Sequence, residues 1–375
     1  MKIAVFGHKR IPSREGGVEI VAEELSTRMV KLGHEVVCYN RRGHHVSGEQ
    51  YDVQTEDSYH GVQLKTVPTL DKKGLAAVSS SFFAAVCAAF SKADVVHIHA
   101  EGPAFMSWLP KLLRKKVVVT VHGLDWQREK WKKGFGSKYI RQGEKMAVKF
   151  ADSIIVLSKG VQEYFLETYG RHTTYIPNGV SKPVRVEVEQ IRENHGLEKD
   201  GYILFLGRLV PEKGIHYLIE AYRGLRTDKK LVLAGGISDS GDYGDKLKEL
   251  AKGDDRILFT GFVQGRILEE LYSNAYVYVL PSDLEGMPLS LLEAMSYGNC
   301  CVVSDIPECT EVTQDKAVSF PKGNVTALRE CLQQLNDDPC RVSGYKEAAG
   351  EYICKKYSWE EMTKQTLAVY REKSK

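Results

Sequence analysis

Short apolar runs recur along the whole chain, each followed by a polar stretch that has the spacing of a helix. The run KIAVFG at 2–7 precedes a polar, glycine-containing loop, and the apolar positions after it lie on one helical face: 18, 21, 22, 25, 29 and 32. Most runs are apolar throughout rather than alternating, as in parallel strands covered on both faces. The pattern predicts an α/β chain built on parallel sheets.

Two series of strands are predicted, one in each half of the chain. The polar, charged stretch 181–200 between them is interpreted as a linker, so we expect domains over 1–180 and 181–357. In doubly wound folds, ligands bind beyond the carboxyl ends of the strands. The predicted strands are 2–7, 35–40, 62–67, 94–100, 116–121, 152–157 and 173–178 in the first domain, and 202–207, 230–236, 256–262, 276–282 and 300–305 in the second.

Composition narrows the class of protein. The chain has 375 residues, 43% of them hydrophobic, and a net charge of +3, which is typical of a folded protein and gives no support to nucleic-acid binding by the whole chain. Its eight cysteines form no C-x-x-C pair, so we expect reduced core thiols in a cytosolic protein. No signal peptide is predicted.

The longest uncharged stretch, 74–91, is rich in alanine and serine. Its length approaches that of a membrane span, but these residues insert poorly into a bilayer. We therefore expect a helix buried between a sheet and its neighbours, and no integral membrane segment.

The segment GRLVPEKG, 207–214, follows a predicted strand and enters a helix. It places Arg208 and Lys213 at a strand end beside a helix N-terminus, where cations and free backbone N–H groups can bind an anion. The alternative is a solvated turn.

The segment DLEGMPLSLLEAMSYG, 283–298, carries two glutamates eight residues apart. Glu285 lies in a loop after a strand, and Glu293 lies in a helix whose first turn contains Pro288. A carboxylate accepts two hydroxyl groups, which suits the vicinal diol of a ribose or sugar. The alternative is that Glu285 caps the helix and Glu293 lies on the surface.

Three weaker candidates also follow predicted strands: Val263 in GFV, His122 in HG, and Gly17 in EGGVE. The glycine loop matches neither the dinucleotide-binding nor the P-loop pattern. His97 and His99 share one side of a strand, but no further ligands occur at suitable spacing. No D-x-D triplet is present. No metal site is predicted.

The order of GGVE, HG, IPNGV at 176–180, GRLVPEKG and the paired glutamates resembles that of family-4 retaining glycosyltransferases of the GT-B fold, especially bacterial cell-surface polysaccharide enzymes. The resemblance covers nearly the whole chain. It implies two Rossmann-like domains facing a central cleft, with the C-terminal helix 358–375 crossing back to the first domain.

The resemblance also implies roles for individual residues. Arg208 and Lys213 would bind the donor diphosphate, Glu293 the ribose, and Glu285 the sugar hydroxyls. Val263 would touch the base, His122 the donor sugar, and Gly17 the diphosphate or the acceptor. Glu285, His122, Arg208 and Lys213 form the expected catalytic set. The sugar and phosphate would be lined by Gly286, Met287, Pro288, Leu289 and Ser290, with Met287 replacing the larger residue of many relatives.

The implied reaction transfers a hexosyl or related sugar from a UDP-, GDP- or dTDP-linked donor, with retention and without cofactor or metal. The acceptor would be a glycan or a polyprenyl-diphosphate-linked glycan. A nucleotide-sugar 2-epimerase, a transferase using a small soluble acceptor, and an inactive scaffold subunit are the alternatives.

Residues 111–145 hold eleven Lys and Arg against three Asp and Glu, a local net charge of +8, interleaved with Trp126, Trp131, Phe135 and Tyr139. Basic residues among aromatic ones suit an anionic lipid surface. We expect a cytoplasmic protein, peripheral at the inner face of the cell membrane, with no nucleic-acid partner. A solvated basic face is the alternative.

Overall fold

The computed structural model describes residues 1–52, 57–70, 72, 74–128, 135–236 and 242–372. The chain divides into two units, one formed by Met1–Asn178 with Trp359–Lys375 and the other by Gly179–Ser358. Each unit contains one mainly parallel sheet with helices packed against it, as the α/β prediction requires.

The elements of the first unit alternate along the chain. Its strands are β1 (Lys2–Phe6), β2 (Glu35–Arg41), β3 (Ser58–Tyr59), β4 (Val62–Val67), β5 (Val95–His99), β6 (Lys116–Val121), β7 (Ser153–Val156) and β8 (Thr174–Tyr175). Its first six helices are α1 (Gly17–Lys31), α2 (Leu75–Phe90), α3 (Glu101–Ala104), α4 (Trp108–Leu112), α5 (Phe135–Phe150) and α6 (Lys159–Tyr169).

The second unit repeats this alternation. Its strands are β9 (Tyr202–Leu206), β10 (Lys230–Ala234), β11 (Ile257–Gly261), β12 (Val277–Leu280), β13 (Cys300–Ser304) and β14 (Val318–Phe320). Its helices are α7 (Gln190–His195), α8 (Ile215–Arg223), α9 (Tyr243–Ala251), α10 (Gly265–Asn274), α11 (Leu289–Ser296), α12 (Pro307–Thr313), α13 (Val325–Asp337) and α14 (Pro339–Lys356). The last helix, α15 (Trp359–Arg371), belongs to the first unit.

The first sheet has the order β3-β4-β2-β1-β5-β6-β7-β8. Ala4 on β1 pairs in parallel with Val37 on β2 and with Val96 on β5, so the strand order reverses direction beside β1. Of the strands in the described ranges, β3 alone is antiparallel, and its two residues are too few to give a periodic signal. The carboxyl ends of β1 and β5 flank this switch point, the position where such sheets commonly bind ligands.

Helix α15 is fixed to the first unit by a buried hydrogen bond. The hydroxyl of Tyr370 lies 2.6 Å from Nδ1 of His97 on β5, and Nε2 of His97 lies 2.7 Å from Oγ1 of Thr120. The tyrosine hydroxyl donates to Nδ1, so Nε2 carries the histidine proton and donates to Thr120. An ion pair of 3.1 Å between Arg28 on α1 and Glu360 adds a second attachment.

The second sheet has the order β11-β10-β9-β12-β13-β14. Strand β9 pairs in parallel with β10 on one side and with β12 on the other, where Leu204 lies opposite Tyr278. The strand order therefore reverses between β9 and β12. The loops after these two strands, which begin at Gly207 and Pro281, flank the switch point of this unit.

The stretch 181–200 is not a free linker, contrary to the prediction. It contains helix α7, and the carboxylate of Glu270, on α10, accepts the backbone N–H groups of Glu189 and Ile191 at 3.0 Å each. Glu270 is fully buried, and these hydrogen bonds hold the start of α7 against the second unit. The polar residues of 190–195 thus belong to a capped helix, whereas 181–187 form neither helix nor strand.

The uncharged stretch at 74–91 forms a helix, α2, but it is buried on one face only. Ala84, Ala85 and Ala88 pack against the sheet, whereas Phe82 and Phe90 are 47% and 74% exposed. The helix therefore lies between the sheet and neighbouring helices, as expected, but its outer face is not buried. Within the described residues, no helix is long and apolar enough to cross a membrane.

The expectation of core thiols holds for half of the cysteines. All eight are free, and Cys38, Cys300, Cys301 and Cys309 are buried. Cys87 on α2 and Cys340 on α14 are exposed, and Cys331 and Cys354 are half-buried. An apolar segment thus did not guarantee a buried thiol, because α2 exposes part of its apolar surface.

Gly214 holds the loop after β9 close to the loop after β12. Its φ is +65°, a left-handed conformation that favours glycine, and a Cβ there would lie 1.9 Å from the carbonyl oxygen of Pro281. No side chain fits between these two loops.

We expect Gly214→Ala to lower the free energy of unfolding by more than about 2 kcal/mol, because it adds a backbone clash to the strain of the left-handed conformation. Gly253 is the matched control, since its φ is +81° and a Cβ there meets nothing within 4 Å. Gly253→Ala should cost only about 1 kcal/mol. Equal costs, measured by urea denaturation, would contradict the close approach at Pro281.

Candidate active site

The loop after β9 turns back on itself before α8. Gly207 has a φ of +157°, and a short 3-10 turn over Pro211–Lys213 ends at Gly214, the residue that precedes α8. The backbone N–H of Asp283 donates to the carbonyl of Glu212 at 2.8 Å, which joins this loop to the one after β12. Arg208 lies exposed at the start of the loop.

An ion pair connects the two loops across the switch point. Nζ of Lys213 lies 2.6 Å from Oε1 of Glu285, and the two side chains are only 14% and 7% exposed. The hydroxyl of Ser282 donates to the same oxygen at 2.6 Å. Among the described residues, Oε2 of Glu285 has no hydrogen-bond partner, so one carboxylate oxygen is anchored and the other is available to a ligand. Lys213 is therefore not part of a solvated turn.

The helix that carries Glu293 starts one residue later than predicted. Pro288 is the N-cap of α11, in extended conformation, and no side chain caps the helix. The alternative that Glu285 serves as a helix cap is therefore wrong. Glu293 is half-buried, and its Oε2 accepts from the hydroxyl of Tyr272 at 3.2 Å, so it does not lie free on the surface.

A buried tyrosine ties α11 to β9. The hydroxyl of Tyr278 lies 2.9 Å from Oγ of Ser290 and 3.3 Å from the carbonyl oxygen of Leu206. Burial raises the pKa of Tyr278 well above its usual value, so the phenol stays protonated and acts as a donor. This hydrogen bond fixes the first turn of α11 relative to the end of β9.

The remaining predicted residues of the second unit lie along the same edge of the sheet. Gly286, Met287, Pro288 and Leu289 are buried between Glu285 and the first turn of α11. Val263 is half-buried and lies two residues past β11, which is separated from β9 by β10. Arg208, Lys213, Glu285 and Glu293 thus share an edge with the backbone that links them.

The predicted residues of the first unit lie at the carboxyl edge of its own sheet. Gly17 is exposed as the first residue of α1. His122 follows β6 and is 8% exposed, and its Nε2 lies 3.0 Å from Nδ1 of His99. Burial lowers the pKa of His122 to about 4, so its imidazole is neutral at pH 7.

The described residues contain no group of three or more His, Cys, Asp or Glu side chains placed to hold a metal ion. Both ring nitrogens of His97 are engaged, with Tyr370 and Thr120, which removes the histidine pair as a metal fragment.

Much of the basic stretch 111–145 is engaged in contacts within the first unit. Lys111 pairs with Asp152 at 2.5 Å, and the guanidinium of Arg141 lies 4.2 Å from the ring centroid of Trp126. Residues 129–134, with Trp131, lie outside the described residues, as does the side chain of Phe135. Arg114 is exposed, and exposed basic groups also form a stripe on α5 at helical spacing that runs past the stretch: Lys138, Arg141 (also over Trp126), Lys145 and Lys149.

Two family models match the chain one after the other. The model described as Glycosyltransferase Family 4 matches residues 15–182, and that described as Glycosyl transferases group 1 matches residues 187–356. The chain is a family-4 glycosyltransferase of the GT-B fold. The family resemblance noted in the sequence is therefore confirmed.

Two relatives are similar to this glycosyltransferase over different shares of its length. An uncharacterised glycosyltransferase of Methanocaldococcus jannaschii is 28% identical over 99% of this chain and 98% of its own length. The O-antigen chain mannosyltransferase B of Escherichia coli is 32% identical, over 52% of this chain and 51% of its own.

Solved structures support the fold. Sucrose-phosphate synthase of Thermosynechococcus elongatus superposes with a TM-score of 0.82 at 22% identity, covering 99% of this glycosyltransferase and 98% of the synthase. HepE of Anabaena, solved with UDP and glucose, superposes with a TM-score of 0.80 at 17% identity, covering 98% of each chain. These likenesses confirm the GT-B fold.

Three polar contacts of the glycosyltransferase were not predicted from its sequence. Ser282 orients Glu285, Tyr272 orients Glu293, and His99 binds His122. Ser282 and His99 lie near the ends of predicted strands, next to the candidate motifs. A polar residue at such a strand end could have been predicted to contact the site. Tyr272 lies on α10, whose packing against the Glu293 helix has no local signature in the sequence.

Burial of neutral histidines makes stability depend on pH. Burial lowers the pKa of His97 to about 3, against 6.5 for an unperturbed histidine. Below pH 6.5 the unfolded chain binds a proton that the folded chain refuses, so stability falls as the pH decreases from 6.5 towards 3.

We expect His97→Gln to reduce the slope of unfolding free energy against pH by about 1.4 kcal/mol per pH unit near pH 5, since it removes one such proton. The exposed His172 is the control, and His172→Gln should leave the slope unchanged. The slope is measured by urea denaturation between pH 4.5 and 7. Equal slopes in wild type and His97→Gln would show that His97 protonates in the folded state.

Proposed function

We propose that this glycosyltransferase moves a hexosyl or related sugar from a nucleotide-sugar donor to its acceptor with retention of configuration. The observation that carries the proposal is the ion pair between Lys213 and Glu285 at the switch point of the second sheet. It places a cation beside a carboxylate of which only one oxygen is bound by Lys213 and Ser282. The diphosphate requires cations and the sugar requires hydroxyl acceptors, and this pair supplies one of each.

The departure of a nucleoside diphosphate builds negative charge on the phosphate oxygens. Lys213, with Arg208 at the other end of the same loop, is positioned to stabilise that charge beside the N-terminus of α8. Two cations and backbone N–H groups suffice for this task, so we propose that the reaction needs no metal ion. The glucose and UDP bound by HepE support a nucleotide-linked donor.

The two glutamates act by positioning in this proposal. Oε2 of Glu285, which has no partner in the described part of the chain, accepts hydroxyl hydrogens of the donor sugar. Glu293, held by Tyr272, accepts from the ribose. The acceptor attacks from the face that the diphosphate leaves, and the diphosphate takes the acceptor proton. Gly286 to Ser290 line the sugar and phosphate, and Val263 touches the base. The parts assigned to His122 and Gly17 by the family resemblance stay predictions.

We infer that the acceptor is a lipid-linked glycan for a cell-surface polysaccharide, presented at the inner face of the membrane. The O-antigen mannosyltransferase among the relatives supports this class of product. The exposed basic stripe of α5 supports attachment to an anionic lipid surface, because no acidic residue interrupts its outer face.

The transfer proposal is tested with two site variants. We expect Glu285→Gln and Arg208→Ala each to lower the transfer rate by about 100-fold or more, because each removes a group that contacts the donor in the transition state. Glu249→Gln, at an exposed position on α9, is the control and should retain full activity. Transfer within threefold of wild type in a folded Glu285→Gln variant, as judged by circular dichroism, would overturn the assignment.

The donor, the metal requirement and the stereochemistry are tested in one assay. UDP-, GDP- and dTDP-sugars are offered with a polyprenyl-diphosphate-linked glycan, with and without EDTA, and nucleoside diphosphate release is measured. We expect one donor class to react, EDTA to leave the rate unchanged, and the product to keep the donor's anomeric configuration by NMR. Loss of activity in EDTA that Mg²⁺ restores would refute the metal-free mechanism. Conversion of the donor without acceptor would indicate an epimerase.

A further inference from the structure

Helix α2 lies on the surface but has no charged residues on its exposed face. Its 16 residues, LAAVSSSFFAAVCAAF, contain no charged side chain, yet only one face is buried against the first sheet. The opposite face exposes Leu75, Phe82, Phe83, Cys87 and Phe90. A surface helix of a soluble domain normally carries charged residues on that side, so the composition of α2 requires an explanation.

The exposed apolar groups of the molecule are concentrated around this helix. Seven of the eleven large hydrophobic side chains that are exposed among the described residues lie on α2 or beside it. Leu70 belongs to the set because its backbone N–H donates to Oγ of Ser79 on α2, at 3.0 Å. The seven, which we call the α2 patch, are Leu70, Leu75, Phe82, Phe83, Phe90, Leu112 and Leu113.

The end of α4 extends the patch past the end of α2. Nζ of Lys115 donates to the carbonyls of Ser91 and Ala93 at 2.8 and 2.9 Å, which fixes the segment after α4 to the segment after α2. Leu112, at the end of α4, is 71% exposed, and Arg114 follows it on the surface. Apolar and cationic side chains are therefore adjacent at this end of the patch.

The patch and the basic stripe of α5 lie on the same side of the first sheet. Helix α4 packs against both α2 and α5, so the three helices form one layer. The outer surface of that layer carries aromatic and aliphatic groups on α2, a mixed edge at α4, and cations on α5. This arrangement is typical of a protein that lies on an anionic bilayer, with apolar side chains inserted and cations at the headgroups.

We propose that the α2 patch inserts into the headgroup region of an anionic lipid bilayer and provides the apolar part of the membrane attachment. The inference rests on the peripheral attachment in the proposed function and adds the inserting element. A second copy of this chain is a poorer occupant. Antiparallel pairing of two α2 helices would bring the exposed Lys72, just before α2, beside the cationic end of α4, where like charges repel.

The proposal predicts membrane binding that survives high salt. Attraction between cations and headgroups is screened at high ionic strength, whereas burial of aromatic side chains is not. We expect wild type to bind vesicles of phosphatidylglycerol and phosphatidylcholine at low salt and to retain a measurable fraction at 1 M NaCl. Vesicles of phosphatidylcholine alone should bind weakly.

The patch is tested with the triple variant Phe82→Ser, Phe83→Ser and Phe90→Ser, in which only exposed side chains change. We expect its partition coefficient onto the anionic vesicles to fall by about tenfold or more, and its salt-resistant binding to disappear. The control is Leu32→Ser, Leu166→Ser and Val184→Ser, which removes apolar groups of similar exposure elsewhere and should bind like wild type. Binding is measured by flotation.

Three results would overturn the proposal. Unchanged binding of the triple variant would show that α2 does not insert. A wild-type dimer in solution that the triple variant converts to monomer, with no vesicle binding, would assign the patch to self-association. Absence of vesicle binding by wild type would remove membrane attachment altogether, while nucleoside diphosphate release with a soluble acceptor would still report on transfer.

Two exposed cysteines allow insertion to be read directly. Cys87 lies on the outer face of α2, and Cys340 lies on α14 in the other unit. An environment-sensitive fluorophore is attached to Cys87 in a Cys340→Ser protein, or to Cys340 in a Cys87→Ser protein. Anionic vesicles should shift the emission of the first label to the blue and leave the second unchanged. Equal shifts, or none at Cys87, would contradict insertion through α2.

Discussion

The second unit is organised around one ion pair. Lys213 and Glu285 come from loops after β9 and β12, and their 2.6 Å contact closes the gap where the strand order reverses. Removing two charges from water is costly, so such a pair persists only where further hydrogen bonds and close packing support it. Ser282 supplies the hydrogen bond, and Gly214 lets the two loops approach closely enough for the pair to form.

Buried hydrogen bonds also hold the residues around the ion pair in place. Tyr272 holds Glu293, and Tyr278 holds the first turn of α11 through Ser290. The anchoring atoms are buried in the sheet and its helices, whereas the second oxygen of Glu285 faces no partner among the described residues. A site built in this way has its polar groups oriented before a ligand arrives, which reduces the reorganisation that binding requires.

The sequence predicted those features that depend on local pattern. Continuous apolar runs located most strands, and Arg208, Lys213, Glu285 and Glu293 fall where strand ends and helix starts were expected. Features set by tertiary contacts were not predictable in this way. Capping of α7 by Glu270, the anchoring of Glu285 by Ser282 and the one-sided burial of α2 each depend on which element packs alongside. Strand β3 was not predicted because two residues are too few to show an alternation of apolar and polar side chains.

We infer that Lys213 binds the diphosphate while Glu285 positions the sugar. Calorimetric titration with UDP, GDP and dTDP separates these two roles. The proteins compared are wild type, Glu285→Gln, and the double variant Lys213→Met with Glu285→Gln, which leaves neither partner charge unpaired. We predict that the nucleoside diphosphate that binds wild type binds Glu285→Gln at least as tightly, and that the double variant binds it about tenfold more weakly or worse. Equal affinity of the single and double variants would contradict the account.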